Sequence, residues 1–433
     1  MRKQLPLWRS LPITGPLRMV LRLSVLAGVI LGLLLTRPAH GQAAPLQTRE
    51  VLIGQLDSFT GNGATFGENS KAALEVAIDD INRASVAIGS PFRFRLVTAD
   101  TQLDPLLALQ GLQSLAAQGV RIVIGPETSA ELQAVQAYAD ANNILLLSQG
   151  STAFSLANPG DNTFRFVPND HHEAIALNSL LQADDVKAMV PIWRGDIGND
   201  DMEQAVTSVF TFTGGTMLQG FRYVPSTVDF TGAVASISDQ VSTAIGQFGP
   251  NVGVYLAGFD EAASIFQIAE SDPVLSSVKW YGSDGTALTE ALFTNRTAAR
   301  FAARVSFSSP LIGLEEELRD RWQPVQDAVA AKIGRIPDAG ALAAYDAVHV
   351  AALADLITGD TADFNLLKQA FTVLVDSYFG ITGPTAVDAA GDRMFADFDF
   401  WAIQDDNGVL EWTKVAHYAN NLEGTSGSLT RLK

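Results

Sequence analysis

The sequence predicts an α/β protein of two doubly wound, Rossmann-like lobes joined by three crossing segments. Three observations predict it. Short apolar runs alternate with amphipathic stretches from Val51 to Leu147, a second alternating series runs from Lys187 to Tyr281, and the apolar runs are four to six residues long between turn residues. Runs of that kind suit parallel strands covered on both faces. Two such series in one chain leave a cleft between lobes, where small ligands bind.

The N-terminal 41 residues read as an export signal, with Arg2, Lys3, Arg9, Arg18 and Arg22 ahead of the apolar stretch Leu23 to Leu35 and small residues at Ala39 and Gly41. That stretch is shorter than the roughly 18 apolar residues a membrane span needs. The chain contains no cysteine, which excludes a lipidated N-terminal Cys and disulfides. The expected product is periplasmic, with no direct membrane insertion after signal cleavage. Removing residues 1–41 takes six basic and no acidic side chains from a chain of 29 basic and 47 acidic ones, leaving 23 against 47. So acidic a surface repels nucleic acid and anionic membranes.

The first strand, Val51 to Leu56, leads into Asp57-Ser58-Phe59-Thr60-Gly61-Asn62-Gly63-Ala64-Thr65-Phe66-Gly67 and a helix through Asn82. The G-x-G-x-x-x-G spacing departs from the dinucleotide fingerprint. Phe92 to Thr98 is the second strand. Asp104 then caps a helix with Pro105 in its first position and Leu109, Leu112 and Ala116 on its buried face. Arg121 to Ile124 and Ile144 to Leu147 form the next two strands, joined by a Gly-Pro turn and a helix opening at Ser129. Thr128 and Ser129 follow one strand, and Ser148, Ser151 and Thr152 follow its neighbour. In open α/β sheets ligands sit at the carboxyl ends of strands, so hydroxyls and free N–H groups at these two ends suit a carboxylate, or else they cap helices and turns.

The middle of the chain continues with strands at Lys187 to Ile192, Gly220 to Val224, Val252 to Leu256 and Val278 to Tyr281. Helices fall at Asp200 to Phe210, Phe230 to Ile245 and Glu261 to Glu270. No G-x-S-x-G elbow, H-E-x-x-H pair, phosphate loop or cysteine nucleophile appears, so neither an enzyme nor a cofactor is expected. His171 and His172 diverge at a helix start, which disfavours a metal. His349 on an apolar helical face and His417 in a terminal strand read as structural.

The order of these motifs, IVIGPETS and LLLSQGST above all, resembles the Leu/Ile/Val-binding family of type I periplasmic binding proteins of ABC transporters. The segment Asn162 to Asp170 resembles its first crossing, Asp196-Ile197-Gly198 its Asp-Tyr-Gly turn, and Trp280 to Gly285 its strand ending in an acidic residue. Ala344 to Val348 resembles its returning helix and Thr382-Gly383-Pro384 its late crossover. The resemblance covers nearly all of residues 51–418. It implies a first lobe of 51–169 and 307–380, a second of 170–306 and 381–420, and a flexible tail at 424–433. The implied crossings lie near Asn169, near Ser306 to Pro310 and near Thr382 to Pro384.

The resemblance also assigns roles. Ser129, the backbone of Gly150, and Thr152 would hold a ligand carboxylate. Asp284 would take the ammonium, or else serve only its Asp-Gly turn; Asp170 would lie near the ligand, or else cap a helix. Phe66 and Ile197 would touch the ligand side chain. Phe259 stands where many members carry Tyr, which makes the pocket more apolar. The function implied is capture of a branched-chain or other apolar amino acid for a membrane permease. A sensory role, or a short amide or aromatic carboxylate as ligand, remains open.

Overall fold

The computed structural model describes residues 48–359, 361–420 and 427–432. The expected export signal lies outside them.

Five parallel strands form the first sheet: Arg49–Asp57 (β1), Phe92–Asp100 (β2), Ile122–Ile124 (β3), Leu145–Ser148 (β4) and Thr163–Arg165 (β5), in the order β2-β1-β3-β4-β5. Both faces are covered, as the continuous apolar runs require. Ile122, Ile124, Leu145 and Leu147 pack in one cluster with Ala64–Ala87 (α1), Ala339–Thr358 (α11) and Phe364–Ser377 (α12). Val123 and Leu146 point the other way, into a cluster with Pro105–Ala117 (α2) and Ser129–Ala141 (α3). Leu145 to Leu147 are fully buried, each side chain contributing about 1.5–3 kcal/mol through burial. Helix α11 is long and apolar enough to cross a membrane, yet 72% of that window is buried, and it forms the centre of this lobe's core.

Local chemistry sets where these helices start. The Asp104 carboxylate accepts from the N–H groups of Leu106 and Leu107, with Pro105 in the first turn. At α3, the Thr128 hydroxyl accepts from the Glu131 N–H, and Glu131 accepts from the Thr128 N–H at 3.1 Å, a reciprocal capping pair.

The second sheet has nine strands. Ala188–Arg194 (β6), Thr216–Met217 (β7), Phe221–Tyr223 (β8), Val252–Ala257 (β9), Lys279–Gly282 (β10) and Ser308–Ile312 (β11) are parallel. Phe379–Gly380 (β12) and Gly383–Pro384 (β13) pair as a short antiparallel ribbon, and Phe398–Asp406 (β14), Val409–Asn420 (β15) and Gly427–Arg431 (β16) extend β11 as an antiparallel meander. The helices of this lobe include Asp170–Ala183 (α4), Ile197–Phe212 (α5), Thr231–Phe248 (α6), Ala262–Ala269 (α7), Glu290–Thr294 (α8) and Arg296–Arg304 (α9), while Arg319–Ile333 (α10) packs on α1 of the first.

Two boundaries differ from the sequence expectation. Ser308–Ile312 belongs to the second sheet, paired with β10 and β14, so the return crossing follows Ile312 rather than running through Ser306 to Pro310. The expected tail contains β16, whose backbone pairs with Ala416 to Asn420. Its Gly, Ser and Thr residues carry no apolar pattern, and pairing through the backbone needs none.

The crossings are tied together by buried arginines. Arg165, at the end of β5, bonds both carboxylate oxygens of Asp392 and the Ala153 carbonyl. Arg393 donates to the Phe166 carbonyl and to the Thr382 hydroxyl, each at 3.0 Å. From the core helix α11, Asp346 accepts from the N–H groups of Ile381 and Thr382 at 2.8 and 2.9 Å. The first crossing and the last therefore meet at one buried polar knot.

Candidate functional site

The first sheet's strand order reverses direction between β1 and β3, and the cleft lies at the carboxyl ends of its strands, as open α/β sheets require. The cavity there measures about 70 Å³, room for roughly five water-sized groups at about 10–15 Å³ each. Phe66, Ser129, Gly150, Thr152, Phe259 and Asp284 all line it, though they come from five separate stretches of chain.

Two expected residues lie elsewhere. Ile197 opens α5, whose N-cap Asp196 accepts from the Asn199 N–H. Successive helical residues turn by about 100°, so Asp196, Gly198, Asn199 and Met202 face the cavity while Ile197 packs against the α2 and α3 side of the first lobe. Asp170 is fully buried behind the lining. The capping role falls to its neighbour Asn169, which accepts from the His171 N–H at 3.2 Å. The Asp170 carboxylate oxygens make no hydrogen bond of ordinary geometry, although the Thr152 hydroxyl faces them. Burial pushes this carboxyl well above the usual range, with Asp284 and Asp201 adding to the shift.

The lining also holds residues the sequence reading missed: Glu127, Gln149, Glu173, Asp196 and Asp338. Glu127 stands two residues before Ser129, so adjacency in G-P-E-T-S was its one signal. Asp338 caps α11, and only the folded chain brings it to the cleft.

Five carboxylates thus line the cavity, one of them, Asp196, paired with Arg194 at 2.7 Å, and among the described residues no Lys, Arg or His lines it. On the second-lobe side, the Asp284 N–H donates to Glu173 at 3.1 Å and the Gly285 N–H to Asp284 at 2.7 Å. Burial pushes Asp284 up to about 6. Burial, together with Asp284 and Asp170, holds Glu173 well above the carboxylate range. On the first-lobe side, burial and the charge of Glu131 push Asp57 up to about 8. Glu127 is raised too, by burial and by Asp57, Asp338 and Glu131. Phe66, Met202, Phe259, Leu311 and Ile312 complete an apolar wall, with the guanidinium of Arg194, the partner of Asp196, 5.6 Å from the centre of the Phe259 ring.

The lobes meet around the cavity. Asn62 donates to Glu261 at 3.0 Å and accepts from the Asp260 N–H at 3.1 Å, while the Gly63 N–H donates to Asp260 at 2.8 Å. Gly63 has φ 76°, and a Cβ there would stand 2.5 Å from Leu103, so glycine is required at this rim. Beyond them, the Ser155 N–H donates to Asp201 at 2.9 Å.

Paired doubly wound sheets, crossings that join them and a lined cleft between them define a two-lobed ligand-binding protein. The chain belongs to the family described as the receptor family ligand binding region, whose model matches residues 69–406. Its fold is that of type I periplasmic binding proteins. A Leu/Ile/Val-binding protein of Rhizobium johnstonii is 24% identical over 344 residues, covering 76% of this chain and 92% of that one. An uncharacterized protein of Methanocaldococcus jannaschii is 27% identical over 378 residues, covering 83% and 88%. Among solved structures, a branched-chain amino acid transporter substrate-binding protein of Streptococcus pneumoniae in complex with isoleucine superposes with TM-score 0.70 at 20% identity, covering 89% and 100%. An ABC transporter solute-binding protein of R. palustris in complex with benzoate superposes with TM-score 0.68 at 16% identity, covering 84% and 96%.

Proposed function

We propose that this protein captures a small ammonium-bearing solute with an apolar body, of the apolar amino-acid class, and delivers it to an ABC transporter permease outside the cytoplasm. The observation that carries the reading is the cleft's acidity: beyond Asp196, which is paired with Arg194, the carboxyl groups of Glu127, Glu173, Asp284 and Asp338 line it with no basic side chain among the lining residues. Glu173 and Asp284 receive the ammonium, and Phe66, Phe259, Met202, Leu311 and Ile312 receive the apolar body. A buried carboxylate pair held partly protonated by its own repulsion regains charge when a cation arrives. An aromatic carboxylate, the kind of ligand bound by the R. palustris neighbour, would bring a further negative charge to the same place. The export signal read in residues 1–41 and the Leu/Ile/Val-binding relatives support the periplasmic location and the permease partner. Each lobe contributes to the lining, so the solute holds the lobes closed and closure is what a permease would read.

The test is a thermal-shift series of the purified chain with branched-chain amino acids, the corresponding amines and benzoate, because a ligand bound only by the folded state raises the melting temperature. Amine-bearing compounds should raise it, and Asp284→Asn should abolish the rise. A rise with benzoate alone would sink the proposal.

A further inference from the structure

At its first-lobe end the cleft offers acceptors where the family resemblance calls for donors. Glu127 lies between β3 and α3, and its carboxylate rests on Gly150. A Cβ at residue 150 would stand 2.3 Å from Oε1 and 2.6 Å from Cδ of Glu127. That backbone is where the ligand carboxylate was expected. The Ser129 hydroxyl is already engaged, with Ser151 Oγ at 2.9 Å and the Ala153 N–H donating to it at 3.1 Å. Asp338 brings a second carboxylate to the same lining.

Gln149 supplies an independent observation. Its Nε2 donates to Glu127 Oε2 at 2.7 Å and to Asp57 Oδ2 at 3.0 Å. Its Oε1 is then a buried acceptor with no partner, on a residue that is 1% exposed and lines the cavity. A ligand carboxylate placed here would face Glu127, Asp338 and this amide oxygen. An N–H-bearing group would find the amide oxygen and, as it displaces the protons that burial keeps on them, the carboxylates of Glu127 and Asp338.

We infer that the first-lobe end of the cleft receives a hydrogen-bond-donating nitrogen of the solute in place of an α-carboxylate, with Glu127 as the residue that sets this preference. The substrate class is then an apolar amino-acid derivative whose α-carboxylate is replaced by a nitrogen-bearing group, an amino-acid amide. In an amino-acid amide, the NH₂ group meets Glu127 and Gln149 Oε1, and the carbonyl meets Thr152. This inference rests on the proposal that Glu173 and Asp284 hold an ammonium group.

The experiment is calorimetric titration of the purified chain with L-leucine, L-leucinamide and 3-methylbutylamine, which lacks the carboxyl carbon altogether. L-leucinamide should bind at least tenfold more tightly than L-leucine. Glu127→Gln should weaken L-leucinamide at least tenfold without weakening L-leucine, and Glu127→Asp should restore part of the loss. Glu127→Gln removes one of several crowded charges, so a melting curve no lower than that of the parent chain is expected and checks its folding. Tighter binding of L-leucine than of L-leucinamide overturns the inference, as does unchanged L-leucinamide affinity in Glu127→Gln. L-leucine binding that depends on a protonated Glu127 would survive in Glu127→Gln and stand above L-leucinamide, and it counts against the inference in the same way. Binding of none of the three, or 3-methylbutylamine affinity unchanged in Asp284→Asn, removes the ammonium reading itself, a result distinct from the loss of the Glu127 role alone.

Discussion

Acidification from about pH 7.5 to about pH 5 should weaken solute binding through one identified group. Asp284 lines the cleft and is pushed up to about 6 by burial, with only the Gly285 N–H opposing the shift. A ligand ammonium must meet this carboxylate in its ionised form. With a value near 6, Asp284 is almost wholly ionised at about pH 7.5 and roughly one-tenth ionised at about pH 5, so affinity should drop about tenfold, or about 1.4 kcal/mol. The sign follows from linkage: the bound cation lowers the carboxyl's value below that of the free protein, so binding releases a proton, and affinity is lost as the pH falls through about 6. Glu173, which accepts from the Asp284 N–H and is itself raised by burial and by Asp284 and Asp170, acts in the same direction. The assay is calorimetry at three pH values in buffers of different ionisation enthalpy, which counts the protons released. The same affinity at both ends of the range, or the same slope in Asp284→Asn as in the parent chain, would refute Asp284 as the ammonium's partner.

Three further outcomes are expected. Gly150→Ala places a Cβ 2.6 Å from the Glu127 carbonyl oxygen, a backbone atom that cannot swing aside; overpacking of this kind costs about 1–3 kcal/mol, read as a lowered denaturant midpoint together with lost binding. Asp260→Ala removes the acceptor of the Gly63 N–H at the rim without touching the lining. It should weaken affinity several-fold with unchanged pH dependence, and an unchanged dissociation constant would show that the rim contributes nothing to closure. Asp392→Ala leaves Arg165 buried at 2% exposure with its carboxylate partner gone, a loss of about 3–5 kcal/mol that urea melts will register.

The alternation that defines the first lobe was legible because its strands are buried on both faces: Leu145 to Leu147 announce themselves as an apolar run whichever helix each one meets. Capping was legible for a related reason, since Asp104-Pro105 and Thr128 act over two or three residues. What could not be read was set by distant partners. Ser308–Ile312 is apolar enough for either sheet, and only pairing with β14, some ninety residues later, assigns it to the second. The Gly427–Arg431 strand is specified by its neighbour's backbone rather than by its own side chains. Ile197, expected in a turn ahead of a helix beginning at Asp200, opens that helix instead and faces away from the cavity, a matter of one residue's rotation. Thr152, Gly150 and Asp284 reached the cleft as expected, whereas the acidic character of the cleft did not show in the sequence. Glu127, Glu173 and Asp338 are three among 47 acidic residues until folding gathers them.

The buried knot of Arg165, Asp392, Arg393 and Thr382 has a mechanical consequence. It clamps the first and last interlobe connections to each other, so those two strands of chain pivot as one axle, and the return after Ile312 is bonded alongside, the Gly313 N–H donating to the Asp397 carbonyl at 2.6 Å. An axle of that kind permits rotation and resists sliding, which confines the lobes to a narrow arc of approach. The two walls of the cleft then meet in the same register at every cycle, and the spacing between the acids of one lobe and those of the other is reproduced each time the jaws shut.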